Sequence, residues 1–271
     1  MIAFRNAYHG GTHGALSITG REVLKNSFRP LVPDTRFLNF NIFEDLSEIS
    51  DKTACVVVET IQAEAGIIIP EPGFLELLRK RCTETGSLLI IDDIQMGMGR
   101  TGKMFSFEHF GIVPDILCLA KAFGGGMPLG AFISSKEIMS SLTHDPELGH
   151  ITTFGGHPVS CAAALASLNY LTTKKIHETA EEKAGIFIDR LSGHPAIKAI
   201  RHKGLMLGID LDSGEAIQKL IPIFLDNGLI ADSFLFRPEA FRIAPPLIIT
   251  EEEIVKTCDK IIRCLNLNYA G

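Results

Sequence analysis

The sequence has 271 residues, of which 46% are hydrophobic and 21% are charged. These values are typical of a globular protein, and they exclude a disordered, collagen-like or coiled-coil chain. The formal net charge of −6 disfavours nucleic acid and anionic membranes as partners. No apolar run approaches the ~18–20 residues that a membrane-spanning helix needs, and no secretory signal is visible at the start. We therefore expect a cytoplasmic protein.

Apolar runs and helical patterns alternate through the first two thirds of the chain. Near-continuous apolar runs predict buried strands, and apolar residues at helical spacing predict helices. The predicted strands cover 54–59, 87–92, 115–120 and 129–133, and the predicted helices cover 72–85 and 158–172. Buried strands separated by helices indicate a mostly parallel sheet that is covered on both faces. This pattern predicts an α/β fold.

The pattern changes after about residue 173. The predicted helices there cover 176–191, a stretch up to about 227 and the chain from 251, and the predicted strands cover 197–201, 205–211 and short runs near 229 and 241. Such a mixture predicts a smaller α+β domain. We therefore divide the chain into a large domain over 1–172 and a small domain over 173–271.

The cysteines, the glycine-rich stretch and Ser213 favour ordinary structural interpretations. The six cysteines form no C-x-x-C pair and mostly lie in apolar segments, which predicts buried free thiols and no metal site. Residues 97–102 match G-x-G-x-x-G, but they do not directly follow a strand. An active-site or interface loop is therefore favoured over a dinucleotide site. Ser213 is interpreted as an ordinary helix N-cap.

A carboxylate and a lysine stand at the ends of two predicted strands. Asp92 ends one strand, and Lys121 ends another and precedes the glycines 124–126. Ligands of parallel sheets bind at the carboxyl ends of the strands. A lysine there can attack a carbonyl and an aspartate can keep a ring nitrogen protonated, which is the pair that pyridoxal phosphate requires. Taken singly, each residue is equally compatible with a surface lysine or a capping aspartate.

Several motifs in register carry a resemblance to a known family. They are 8–10 (YHG), 59–66 (ETIQAEAG), 91–102 (IDDIQMGMGRTG), 114–126 (PDILCLAKAFGGG), 153–158 (TFGGHP) and 241–247 (FRIAPPL). Together they resemble the class III (ω-amino-acid) aminotransferases of fold type I over almost the whole chain. The resemblance implies a fold type I enzyme that depends on pyridoxal phosphate. It is stronger to the ornithine and acetylornithine branch than to the aminomutases.

The resemblance implies a role at the cofactor for each matching residue. Lys121 would form the Schiff base with the cofactor and move the substrate proton, and Asp92 would pair with the pyridinium nitrogen. Gln95 would hydrogen-bond the phenolic oxygen, and Tyr8 would stack on the ring. Further cofactor-binding positions are His9, Glu59 and Thr153. Thr153 would donate to the phosphate in the neighbouring subunit, so that the site is complete only in a homodimer.

The resemblance also implies how substrates are recognised. Arg242 would clamp the substrate α-carboxylate, because a planar guanidinium matches a carboxylate with two bonds. Glu64 would act as a gate that pairs with Arg242 when the donor presents an ω-amine and swings away when a keto acid binds. Each of the two residues is also compatible with an ordinary surface charge.

The chain departs from the family pattern in several places. Thr60, Asp93, Met96 and His157 stand where proline, glutamate, threonine and asparagine are usual, and Gly11 stands where several relatives have arginine. Family members have a long upstream stretch with a Ser-Gly-x-Glu-Ala helix start that binds the cofactor phosphate, and no substitute is found here. Because a helix N-terminus is a ready anion site, we expect this chain to bind the cofactor weakly or not at all.

Three functions are compatible with these observations. The first is an aminotransferase that moves an amino group from an ornithine- or acetylornithine-type, or other ω-amino, donor to 2-oxoglutarate. The second is an aminomutase with the same cofactor, against which Arg242 argues. The third is a truncated, non-catalytic protein of the aminotransferase fold that acts through its dimer surface. Absorbance after incubation with pyridoxal phosphate distinguishes the third function from the others.

Overall fold

The computed structural model describes residues 1–269, and the chain divides into two compact units. Unit 1 comprises 1–60, 70–98 and 105–175, and unit 2 comprises 61–69, 99–104 and the chain from 176 onward. Two short segments of the predicted large domain therefore belong to unit 2 in the structure.

A mostly parallel sheet forms the centre of unit 1. Its strands are β1 (Ile2–Phe4), β2 (Arg36–Leu38), β3 (Cys55–Val58), β4 (Leu88–Asp92), β5 (Ile116–Leu119) and β6 (Ala131–Ser134). Within residues 1–269 their order is β2-β1-β3-β4-β5-β6, and only β6 is antiparallel to its neighbour. The predicted α/β fold with a mostly parallel sheet is confirmed.

The helices of unit 1 begin and end at residues that suit those positions. They are α1 (His13–Ile18), α2 (Phe74–Thr85), α3 (Lys136–Ser140) and α4 (Pro158–Lys174). α2 ends before Gly86, whose φ of 72° is left-handed and costs a glycine little. Pro158 opens α4 at its first position, where a missing N–H leaves no helical bond unmade.

The core of unit 1 packs α2 against the sheet. Phe74 and Leu78 of α2 are fully buried together with Phe4 of β1. The ring of Phe74 makes edge-to-face contacts with Phe4, Phe40 and Phe43, with centroids 5.1 to 6.0 Å apart. Each such pair adds about 0.5–1.5 kcal/mol beyond the burial of the rings. This packing supports the first strand, whose carboxyl end carries candidate site residues.

Unit 2 combines a small antiparallel sheet with three helices among its described residues. Its strands are β7 (Ala199–Lys203), β8 (Met206–Asp210), β9 (Asp232–Ser233) and β10 (Ala240–Ile243), and its helices are α5 (Ala180–Leu191), α6 (Gly214–Asp226) and α7 (Glu251–Tyr269). The strand order is β7-β8-β10-β9. Ser213 caps α6 as predicted, because its hydroxyl accepts the N–H of Ala216 at 3.2 Å. In the part of the chain that the structure describes, no helix is long and apolar enough to cross a membrane.

Two predicted elements of unit 2 differ from the structure at their boundaries. The helix predicted from residue 176 begins with a 3-10 turn, and α5 starts only at Ala180. Lys175, which has a left-handed φ of 51°, interrupts regular helix between α4 and this turn. The strand predicted near residue 229 lies at 232–233, because Gly228, with φ of 69°, turns the chain after α6 first.

Candidate active site

Several predicted cofactor residues follow strand ends at one edge of the unit 1 sheet. The strands β1, β3, β4 and β5 run parallel, so their carboxyl ends lie at the same edge. Tyr8 and His9 follow β1, Glu59 follows β3, Asp92 ends β4 and Lys121 follows β5. We call this the carboxyl edge. The topology therefore collects these residues where parallel sheets bind ligands.

Asp92 is held in place at the carboxyl edge. Its side chain is buried, Oδ2 lies 2.8 Å from Nδ1 of His9, and Oδ1 accepts the N–H of Ile94 at 3.1 Å. Burial alone lowers the pKa of His9, but the hydrogen bond and charge of Asp92 and the charge of Glu59 outweigh it and leave the pKa above its ordinary value. Nε2 of His9 is buried and has no hydrogen-bond partner among the described residues. The structure thus places His9 against Asp92, as its support.

Glu59 ties the YHG motif to the end of β3. The side chain of Glu59 is buried, and its Oε2 accepts the backbone N–H of Tyr8 at 3.2 Å. Tyr8 itself is partly exposed. The contact fixes the backbone from which Tyr8 and His9 project.

Lys121 begins a tight turn directly after β5. Its φ is +51°, a left-handed conformation that is uncommon for a residue with a side chain and that clusters at functional sites. The residue is exposed and starts a 3-10 turn that ends at Gly124. Gly125, with φ of +58°, lies so close to the carbonyl oxygen of Ala163 that a Cβ would not fit. Glycine at this position therefore lets α4 pack against the turn that carries Lys121.

The structure places Gln95 and Thr153 in loops of unit 1. Gln95 is partly buried in the turn after β4, three residues beyond Asp92. Thr153 is exposed, and its neighbours Ile151 and Phe154 are 70% and 78% exposed. A cavity of about 1240 Å³ with a mostly apolar wall extends between this loop and the strands β5 and β6. In the part of the chain that the structure describes, nothing covers this apolar surface.

A buried polar cluster next to Asp92 was missed by the sequence analysis. The carboxylate of Asp93 accepts the N–H of Ser106 at 3.0 Å and also its hydroxyl, which in turn contacts the hydroxyl of Thr60. Burial raises the pKa of Asp93 to about 6, against the effect of the bonds from Ser106. Thr60 and Asp93 are two of the departures from the family pattern. That both positions depart from the family pattern was the signal in the sequence from which a contact between them could have been inferred.

In unit 2 the structure brings together Glu64 and Arg242, which are 178 residues apart. Nη2 of Arg242 donates to the two carboxylate oxygens of Glu64 at 3.0 and 3.1 Å, and the guanidinium lies 4.8 Å from the ring centre of Phe234. The side chains are only 14% and 10% exposed. Within residues 1–269, the buried Nε of Arg242 has no hydrogen-bond partner. Nη2 is thus occupied, and the neighbouring Nε–H is a buried donor that no described residue uses. A guanidinium with such a donor can bind a carboxylate ligand.

The donor set at the carboxyl edge fits pyridoxal phosphate. This cofactor carries an aldehyde that an accessible lysine amine can bond, and a ring nitrogen whose protonated form pairs with a carboxylate. Lys121, an exposed residue, supplies an amine, and Asp92 supplies a carboxylate that His9 and Ile94 hold in a fixed orientation. Asp92 ends β4 and Lys121 follows β5, and these are adjacent strands of one sheet.

Comparisons with known proteins agree with this chemistry. A protein-family model described as aminotransferase class-III matches residues 1–265. The structure is similar to the ornithine aminotransferase of Toxoplasma gondii, with 31% identity and a TM-score of 0.90 over 99% of this chain and 64% of that chain. That enzyme was crystallised with partial occupancy of pyridoxal phosphate at its active site.

Two further structures are similar over most of this chain. The ornithine aminotransferase of Plasmodium yoelii is 28% identical, with a TM-score of 0.78 over 86% of this chain and 63% of that chain. An (S)-enantioselective omega-transaminase of Thermomicrobium roseum is 27% identical, with a TM-score of 0.87 over 99% of this chain and 68% of that chain. The chain spans less than two thirds of the length of the two ornithine aminotransferases. The predicted family resemblance, its fold type I architecture and pyridoxal phosphate as its cofactor are confirmed.

Proposed function

Because this chain belongs to the class III aminotransferases, we propose that it takes part in transamination with pyridoxal phosphate. The proposed reaction moves an amino group from an ornithine- or acetylornithine-type, or other ω-amino, donor to 2-oxoglutarate. The observation that carries the proposal is the placement of Lys121 and the buried Asp92 after adjacent parallel strands, with Asp92 bonded to His9.

The cofactor residues divide into groups that react and groups that position them. When bound, pyridoxal phosphate supplies an electrophilic carbon and a ring that accepts electrons. Lys121 is proposed to bond that carbon and to move the proton at the substrate Cα or Cω. Asp92 is proposed to keep the ring nitrogen protonated, with His9 holding its carboxylate 2.8 Å away. Because such electrostatic support is fixed before reaction, it lowers the barrier without reorganisation.

Three other residues of unit 1 are proposed to orient the cofactor. Tyr8 would cover one face of the ring, and Gln95 would hydrogen-bond the phenolic oxygen. Glu59 would act indirectly, since its carboxylate fixes the backbone N–H of Tyr8 at 3.2 Å. These contacts would hold the ring in one plane while Lys121 delivers and removes the proton.

Arg242 of unit 2 is proposed to bind the substrate α-carboxylate. Nε–H and Nη2 lie on one side of a guanidinium and form a fork that matches a carboxylate. In this structure Nη2 is taken by Glu64, while Nε has no partner among the described residues. Glu64 would therefore compete with a substrate carboxylate and act as a gate: paired with Arg242 for an ω-amine donor, displaced for a keto acid.

A homodimer in the cytoplasm is also proposed. Thr153 would reach the cofactor phosphate of a second copy, and the exposed Ile151 and Phe154 beside it support an interface there. The cavity of about 1240 Å³ beside this loop offers further apolar surface for such a contact. All six cysteines are free, as is usual in a reducing compartment.

Two alternatives share the fold. An aminomutase would use the same cofactor residues, but a keto-acid acceptor brings an α-carboxylate in every cycle, which favours transamination for a chain with Arg242. A non-catalytic protein of this fold would not bind the cofactor at Lys121. Release of a keto acid from the donor separates the aminotransferase from the aminomutase.

The proposal is tested by trapping the cofactor on lysine. The protein is incubated with pyridoxal phosphate at millimolar concentration, so that weak binding suffices, and is reduced with borohydride before peptide mass spectrometry. We expect the label to concentrate on Lys121 and to be lost in Lys121→Arg. Lys136→Arg, which changes another exposed lysine of unit 1, is the matched control and should label normally. Equal labelling of all exposed lysines would contradict the proposal.

A further inference from the structure

The turn that carries Glu64 is fixed by its own backbone and by other residues of unit 2. Gln62 and Ile68 exchange two backbone hydrogen bonds of 3.1 and 3.0 Å, which closes the turn around Glu64. The carbonyl oxygen of Glu64 accepts the N–H of Phe236, and its Oε2 accepts the N–H of Leu235. The backbone of the turn and the side chain of Glu64 are therefore held by separate contacts.

A second charged cluster lies against the same turn and is absent from the proposed chemistry. Asp210 at the end of β8 is 5% exposed and accepts two hydrogen bonds from each of two arginines. Arg201 donates Nη1 and Nη2 at 2.6 Å each, and Arg237 donates Nε at 2.9 Å and Nη2 at 2.7 Å. Burial raises the pKa of Asp210, but the two arginines outweigh it and hold this pKa below its ordinary value. We call these three residues the arginine clamp.

The arginine clamp contacts the turn at Gly66. Nε of Arg201 donates to the carbonyl oxygen of Gly66 at 2.6 Å, while Nη1 and Nη2 donate to Asp210. A Cβ on Gly66, whose φ is +101°, would collide with Cδ of Arg237 and approach Nη2 of Arg201 to 3.2 Å. The turn therefore packs directly on the clamp, two residues beyond Glu64.

We propose that the arginine clamp positions the 61–69 turn and thereby sets how strongly Glu64 competes with a substrate carboxylate for Arg242. The inference rests on the proposed carboxylate role of Arg242. Asp210 orients both arginines, and Arg201 fixes the carbonyl of Gly66. The turn is therefore already ordered, so that Glu64 pairs with Arg242 without a loss of conformational entropy. Loosening the turn depopulates the closed Glu64–Arg242 pair, so that a carboxylate ligand binds more tightly. Asp210, Arg201 and Arg237 are positioning residues and have no contact with the reacting atoms in this proposal.

Arg201→Lys is the main test, because it keeps the positive charge. A lysine has one nitrogen in place of the three that bond the two oxygens of Asp210 and the carbonyl of Gly66. Gly66→Ala disturbs the same contact with no change in charge. Glu239→Gln is the matched control: Glu239 lies 3.5 Å from Nε of Arg237 and has no bond to the turn. The probe is glutarate, titrated into the protein by calorimetry in every variant, and also followed through the ¹⁵N-labelled Nε–H signal of Arg242 in the variants that keep this arginine.

We expect Arg201→Lys and Gly66→Ala each to lower the dissociation constant of glutarate by about 3- to 10-fold, as the closed pair loses population. Glu239→Gln should leave it unchanged. Amide exchange at Leu235 and Phe236 should accelerate in the first two variants, which reports the loosened turn even if binding is weak. In a Glu64→Ala background, Arg201→Lys should have no further effect on binding, because the competing group is gone.

The outcomes separate this inference from the proposed function. If Arg242→Ala leaves glutarate binding intact, the carboxylate role of Arg242 is wrong and the inference falls with it. If Arg242→Ala abolishes binding while Arg201→Lys and Gly66→Ala leave the dissociation constant unchanged, only the clamp is wrong. An effect of Arg201→Lys that persists without Glu64 would show a general structural role and would also overturn the inference.

Discussion

The two units arrange their candidate site residues in different ways. At the carboxyl edge of unit 1, the residues lie at or just after the ends of parallel strands, and Lys121 is exposed. In unit 2, Arg242 and Glu64 are paired and mostly buried, and Asp210 is saturated by two arginines. Unit 1 thus holds its candidate carboxylate, Asp92, through His9 and a backbone N–H, whereas unit 2 pairs Glu64 and Asp210 with arginines.

Because of this difference, the free energy of binding a ligand has different contributions in the two units. A cofactor at the carboxyl edge would contact Asp92 beside the bonds that this carboxylate already accepts from His9 and Ile94. A carboxylate at Arg242 must first displace Glu64, so its affinity is a difference between two charge-assisted pairs. In the proposed function, the first arrangement orients a cofactor, and the second selects among substrates.

The largest expected effect tests the carboxyl edge. We expect Asp92→Asn to reduce the transamination rate by a factor on the order of 10² or more, because support of the ring charge is lost in the transition state. The same change should lower the pKa of His9, because the charge of Asp92 is lost while burial, which lowers this pKa, and the charge of Glu59, which raises it, both remain. The measurements are the single-turnover rate and an NMR titration of His9. Asp115→Asn, at a carboxylate paired with Arg79, should leave the pKa of His9 unchanged.

The second effect concerns the buried cluster beside that edge. The pKa of Asp93 is about 6 in the folded protein against an ordinary 3.8, so between these values the native state binds more protons than the unfolded state. Stability should therefore fall as pH rises from about 4 to about 6, by ~3 kcal/mol from this group. Asp93→Asn should flatten this dependence in denaturant titrations. If Asp93→Asn and the exposed control Asp189→Asn give the same slope, the buried titration is disproved.

The smallest effect concerns unit 2 alone. Ser213→Ala removes the side-chain bond to the N–H of Ala216 at the start of α6. We expect a loss of about 1 kcal/mol in the free energy of unfolding, the usual effect of deleting a cap. Urea unfolding measures it, with Ser192→Ala at the exposed end of α5 as the control. Amide exchange should accelerate in α6 and stay unchanged at the carboxyl edge. Faster exchange at that edge would contradict the expectation that the effect is confined to unit 2.

The sequence by itself determined the parallel sheet and the residues at its carboxyl edge. Continuous apolar runs mark buried parallel strands, and each strand end is a local feature of the sequence. Asp92 and Lys121 were identified because parallel topology brings strand ends together without further information. The ends of α2 and α6 were also local, since Gly86 and Ser213 act through their own backbone geometry and hydrogen bonds.

Only the tertiary structure decided which side chains pair. The contact of His9 with Asp92 and the cluster of Asp93 with Ser106 join residues on different elements, so no local pattern encodes them. The arginine clamp likewise depends on the register of β7 and β8 and on the position of Arg237 before β10. The family resemblance implied that Glu64 meets Arg242. That the 61–69 turn belongs to unit 2 and contacts the arginine clamp follows from packing alone. The physical reason is that strand order and register set these distances, whereas periodicity and propensity act only within one element.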